Sequence, residues 1–246
     1  MNILGLDLYT WTLLLLALVV SPILGRREFS SLHRHIAEGR TEKRMEAYDS
    51  TWRWQWGITT AFVAGWMLLG RGLAEIGLTF EPARWELLVI GLAAAPVVAL
   101  VVYSSRIASN PEQLDRTREQ LGTLAAVAPH SAAEMRRFTW VSITAGICEE
   151  VLYRGLLLTS LAAAFGTWPA AVLSSVVFGI GHSYQGVAGG IKTAVIGLVM
   201  AVVVVTSGSL FAAILLHIVL DITQGRILHA AVNSGGEIVS TEPSPA

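Results

Sequence analysis

Long apolar runs separated by polar stretches organise this chain, falling at about 8–25, 54–72, 85–104, 138–163, 168–185, 187–206 and 208–230. Each approaches the ~20 residues that a helix needs to cross a bilayer. Backbone groups in hydrocarbon must be satisfied within the segment, which favours helices. The pattern therefore predicts an all-α fold, a polytopic transmembrane helical bundle of about seven to eight spans. The second run is the least regular, because Arg71 and Glu75 cut its hydrophobicity. A re-entrant piece or eighth span around 70–84 is the alternative there.

The polar stretches carry the orientation. Segment 26–53 holds seven Lys/Arg and 105–137 holds five, twelve of the chain's seventeen, whereas 71–84 holds two. The positive-inside rule puts both long segments in the cytoplasm, with the N-terminus outside and the C-terminus inside. Trp11, Trp52, Trp54, Trp56, Trp85, Trp140 and Trp168 fall near predicted span ends, as an interfacial belt would, and Trp66 falls mid-span. Segment 30–50 is charged in both signs and reads as a solvated connector rather than an interfacial helix. The first apolar run lacks a basic leader and is followed by Arg26 and Arg27, so it reads as a retained span rather than a cleaved signal. The expected organisation is a single integral membrane domain, 1–246: N-terminal spans and cytoplasmic loops over 1–137, a core over 138–230, and a polar tail over 231–246.

Composition narrows the class. Charged residues make up 14% of the chain, against about a quarter in soluble domains. No basic stripe is interleaved with aromatics, so no nucleic acid is expected as a partner; the lipid bilayer is. The single cysteine, Cys148, excludes an intrachain disulfide and a cysteine-based metal cluster. As a small residue in an apolar helix, it reads as packing rather than as a nucleophile.

Against this background, Glu149, Glu150, Arg154, His182, His217 and Asp221 stand out inside the last four apolar runs. Each ionisable group at mid-membrane costs about 2.5–3.5 kcal/mol on insertion scales, so six of them must face one another or a wet cavity. Residues four apart share a helix face, which lets Glu150 pair with Arg154 and lets Asp221 orient His217. Glu149 lies about 100° around from Glu150 and has no such partner. Two carboxylates in different settings can divide a structural from a proton-handling role. Phe178 sits four before His182 and packs beneath it. Gly179, Gly181, Gly186, Gly189 and Gly190 suit close helix approach, or a broken segment, beside the histidines.

The ordered motifs E-E-x-x-x-R (149–154), F-x-x-x-H (178–182) and H-x-x-x-D (217–221) resemble the CPBP family, the type II CAAX prenyl proteases and their bacterial Abi relatives. The resemblance implies a CAAX-protease-like catalytic core in the last four spans and an intramembrane glutamic endopeptidase. By that resemblance Glu149 and His182 activate a water, His217 and Asp221 stabilise the oxyanion, and Glu150, Arg154 and Phe178 support the site. The fourth position departs from the family, where Asn is frequent: an ionised Asp accepts hydrogen bonds but donates none.

The expected substrate is a membrane-anchored peptide or protein, with no cofactor and no metal, and the small single-domain form points to a bacterial plasma membrane. Three other readings remain at this point. One is a zinc-dependent membrane metalloprotease using the same His and Glu side chains, although H-E-x-x-H is absent. Another is a non-catalytic membrane scaffold or immunity-type protein. The third is a transporter, since ionisable groups at the midplane also mark ion paths.

Overall fold

The computed structural model describes residues 4–78, 95 and 98–234. They form an all-α membrane bundle, with eight helices and no strand among the described residues. The first helix, α1, spans Leu8–Ala37 and passes through a π-helical turn at Leu16–Val20. Helix α2 spans Lys43–Leu68, α3 Val98–Ala108 and α4 Pro111–Gln120. Helix α5 is continuous over 132–165, with a π turn at Val151–Leu157. Thr167–Gly181 forms α6, Gly186–Ser207 α7 and Leu210–Asn233 α8.

Among the described residues, three helices are long and apolar enough to cross a membrane: α1, the Ser183–Ser207 segment that contains α7, and α8. The outer faces are apolar: Val172 and Val176 on α6, and Ile191, Val195 and Val199 on α7, are all exposed. An exposed aliphatic face of this kind suits lipid and is rare in water. Of the three, α8 is the most enclosed, 39% of its apolar window being buried against 17% and 22% for the others. It therefore runs through the body of the bundle, where polar side chains can be sheltered.

The bundle has two distinct ends. At one, Arg44 donates to Glu134 (2.9 Å) and to the Ala126 carbonyl, and the Tyr48 hydroxyl donates to the Val127 carbonyl. Arg118 reaches the Ala231 carbonyl there (2.8 Å), and Phe29 packs on Tyr184. The two long basic segments thus share an end of the bundle, as the positive-inside rule expects. At the other end Arg71 pairs with Asp7 and lies 4.6 Å from the Trp66 ring, and the Leu210 amide donates to the Gly77 carbonyl.

Several sequence expectations shift in register. Helix α1 continues to Ala37 instead of ending near 25, and α2 begins at Lys43 rather than 54. Only 38–42 connects them, so most of the expected connector 30–50 is helical. Its charges do not prevent this, because Arg44 finds buried partners in Glu134 and Ala126. Helix α2 stops at Leu68, and Gly70 follows at φ 75°, a left-handed conformation that favours glycine. Trp66 is consequently near a helix end and 2% exposed, not mid-span. The described part of 70–84 is a loop with a 3₁₀ turn at Ala74–Ile76. The rest of that piece, most of the run expected at 85–104, and the tail from 235 lie outside the described residues.

Candidate active site

Helix α5 is well started. Ser131 and Glu134 form a reciprocal capping box at its N-terminus. It reaches Glu149 and Glu150 immediately before the π turn Val151–Leu157, whose residues, apart from Leu152, are buried. A π turn inserts one extra residue, a feature frequent at functional sites. Within it, Arg154 still reaches back to Glu150, with Nη1 2.9 Å from Oε1 and both side chains 0% exposed. The guanidinium also lies over the Phe178 ring, 4.3 Å from its centroid. Gly197 of α7 makes room for it, since a Cβ there would lie 2.6 Å from Nη2. On the same pair of helices, a Cβ on Gly179 would meet the Gly190 carbonyl oxygen at 2.6 Å, so α6 and α7 approach closely at their glycines.

The two histidines arrive from different helices. Helix α6 has only fifteen residues, about 22 Å at the usual rise, against a hydrocarbon core of ~30 Å. His182 is its C-cap residue, ahead of the 3₁₀ turn Ser183–Gln185, and not part of a span continuing to 185. Its Nδ1 lies 2.9 Å from the Phe178 carbonyl oxygen. A carbonyl only accepts, so Nδ1 carries the proton and donates. His217, on α8, has Nδ1 2.7 Å from Glu150 Oε1. That oxygen already accepts from Arg154, so this Nδ1 donates as well.

Fixing both Nδ1 atoms aims both Nε2 atoms the same way. Glu149 Oε2 is 3.7 Å from His182 Nε2 and 3.9 Å from His217 Nε2. These gaps exceed a direct hydrogen bond. The Glu149 and His182 side chains are 16% and 18% exposed, against 0% for Glu150 and Arg154. The first pair can be reached from outside the protein; the second cannot. Phe178 lies under the group, its ring 4.5 Å from that of His182 and 6.2 Å from that of His217.

The structure thus brings together all seven residues singled out from the sequence, but with one exchange of parts. Asp221 was expected to orient His217 from four residues away. Its Oδ2 lies 3.7 Å from Nε2, beyond hydrogen-bond length, and its side chain is 39% exposed. Glu150 holds the ring instead, because the buried Arg154–Glu150 pair leaves Oε1 facing α8. Glu150 is therefore both the partner of Arg154 and the anchor of His217.

Sequence reasoning missed Gln55 on α2, whose Nε2 donates to Glu149 Oε1 at 2.8 Å. It also missed the Trp56 indole donating to Thr144 Oγ1 at 3.2 Å. A lone Gln among tryptophans carries no spacing signal. Cys148 is free and 0% exposed, as a packing residue should be. Among the described residues, no group of three or more His, Cys, Asp or Glu side chains could hold a metal ion.

Comparison with known proteins adds a family. Residues 131–223 match the model for type II CAAX prenyl endopeptidase Rce1-like proteins. The match runs from the capping residue of α5 through α6 and α7 into α8, and so includes the whole cluster except Gln55. The chain matched no curated protein and no solved structure.

Proposed function

We propose that the chain is an intramembrane glutamic-type endopeptidase of the CPBP or CAAX protease family, on the premise that its residues 131–223 match the Rce1-like family. In this reading Glu149 and His182 activate the water that cleaves a peptide bond. One observation carries the proposal. Glu149 presents one oxygen to two imidazole Nε2 atoms whose orientation is locked from behind. Separations of 3.7 and 3.9 Å are beyond direct hydrogen bonding, which leaves all three atoms able to hydrogen-bond a water seated against them.

The chemistry follows from the hydrogen-bond roles. Glu149 takes a proton from the water as its oxygen attacks the scissile carbonyl carbon. The neutral His182 ring, with Nδ1 donating to Phe178, has Nε2 free to accept from the same water. Negative charge then develops on the carbonyl oxygen. His217 Nε2 can donate to it when the ring carries both protons, with Glu149, Glu150 and Asp221 supplying the compensating charge. Collapse of the tetrahedral intermediate breaks the C–N bond, and the proton held by Glu149 passes to the leaving amine. Asp221 acts through the field at His217, which suits an acceptor-only carboxylate better than direct contact with an oxyanion.

The substrate class we propose is a membrane-anchored peptide or protein presented from the cytoplasmic leaflet. A helix of fifteen residues, shorter than the hydrocarbon core, supports a site within the bilayer rather than at its surface, with His182 toward the basic end. A farnesylated CAAX peptide is a suitable probe because of the family's name. Detergent-purified protein is expected to cleave it in the presence of strong chelators and thiol reagents, and Cys148→Ala to cleave at the wild-type rate. Activity that disappears on chelation and returns with zinc would establish the metalloprotease reading. No cleavage with full binding to a partner would establish the scaffold.

We also propose a multi-pass arrangement in a bacterial plasma membrane, with the N-terminus outside and both basic segments in the cytoplasm. On a Cys148→Ala background, a cysteine placed at His35 or Gln120 should react with membrane-impermeant reagents only after the cells are opened. Labelling in intact cells would reverse the orientation.

A further inference from the structure

We infer that Gln55 is a positioning residue for Glu149, so that helix α2, outside the matched segment, completes the catalytic apparatus. The inference rests on Glu149 being the base, as proposed above. Gln55 Nε2 donates to Glu149 Oε1 at 2.8 Å across 94 residues of sequence. The other oxygen, Oε2, faces His182 and His217. The amide thereby makes the two carboxylate oxygens unequal: one is anchored and one is free to react. A glutamate's terminal torsion is broad and roughly two-fold when nothing holds it. Without the amide, Oε2 would be aimed by no hydrogen bond from protein among the described residues.

Two features distinguish this from incidental contact. The register of α2 against α5 is set independently, by Trp56 on Thr144 one residue away and by Arg44 on Glu134 at the helix start. Gln55 is therefore delivered to Glu149 on a fixed support. Gln55 Oε1, moreover, is buried without a hydrogen-bond partner among the described residues. A buried unpaired acceptor is destabilising, so packing alone would favour an apolar side chain here. The donor end of the amide is what the position supplies.

Gln55→Met keeps the length of the side chain and removes the donor. With the farnesylated peptide as probe, kcat should fall about 10- to 100-fold, in line with the cost of a small misplacement of a reacting group. KM should stay within about twofold and Tm should be unchanged. Gln55→Asn, with the amide drawn back, should lie between. The infrared band of Glu149, identified as the band lost in Glu149→Gln, should shift in Gln55→Met, and this readout needs no substrate. If Glu149→Gln is inactive while Gln55→Met turns over normally, or its band does not move, the positioning role is overturned and the catalytic reading stands. If Gln55→Met lowers Tm and moves KM together with kcat, the residue is structural, which also overturns the role. If Glu149→Gln remains active, the catalytic reading itself fails.

Discussion

Glu149→Gln is expected to leave a folded protein that no longer cleaves its substrate. A positioned general base contributes about 10²–10⁴-fold, and a neutral amide cannot take the proton from water. Folding should survive for reasons visible in the site. The replacement is isosteric, the side chain is partly exposed, and its carbonyl oxygen can still accept from Gln55 at the position of Oε1. His182→Ala should lose a comparable factor, since it removes the Nε2 that faces Glu149 Oε2. Turnover of the prenylated peptide, measured beside thermal unfolding in detergent, checks both. Normal turnover in either variant would remove that residue from the mechanism.

Glu150→Ala and Arg154→Ala should behave differently, losing folded protein as well as activity. Their side chains are 0% exposed and 2.9 Å apart. Removing one partner strands a charge in the interior, at a cost of about 3–5 kcal/mol. The structure already leaves Glu150 Oε2 and Arg154 Nε and Nη2 without hydrogen-bond partners among the described residues. The pair therefore depends on its single close contact, on the Phe178 ring and, for Glu150, on His217. Replacing both residues by methionine, neutral and of similar size but without an oxygen acceptor, should recover part of the folded yield. It should not recover activity, because His217 would still lack the acceptor that fixes its ring. Thermal unfolding and monodispersity in detergent measure the first effect, and peptide turnover the second. A single variant as stable as wild type, with only turnover lowered, would make the pair catalytic rather than architectural.

The class of the protein and most members of its polar cluster were legible in the sequence. Apolar runs of bilayer length, with six ionisable residues confined to the last four, are properties of composition and spacing. They point to an all-α membrane bundle with a polar cluster inside it. The four-residue spacing from Glu150 to Arg154 also predicted a real contact, because residues so spaced share a helix face whatever the helix packs against. The same rule brought Asp221 within 3.7 Å of His217 Nε2, close enough to act on its charge but not to hydrogen-bond it. They share a face, but the ring turns toward a stronger acceptor on another helix. The extents of α1 and α2 were obscured for a related reason: hydropathy marks what suits lipid, whereas a helix continues as far as its backbone and its partners allow, as Arg44 with Glu134 shows.

Only the packing of the helices settled which atom of each side chain faces the centre of the cluster. Glu150 anchoring His217 spans 67 residues, and Gln55 holding Glu149 spans 94. Neither follows from periodicity, which fixes direction around one helix and says nothing about the neighbour it meets. In lipid, helix association depends on local fit, small residues and interhelical hydrogen bonds rather than on a hydrophobic gradient. The partners of Glu149 were therefore set by how α2, α5, α6 and α8 pack together.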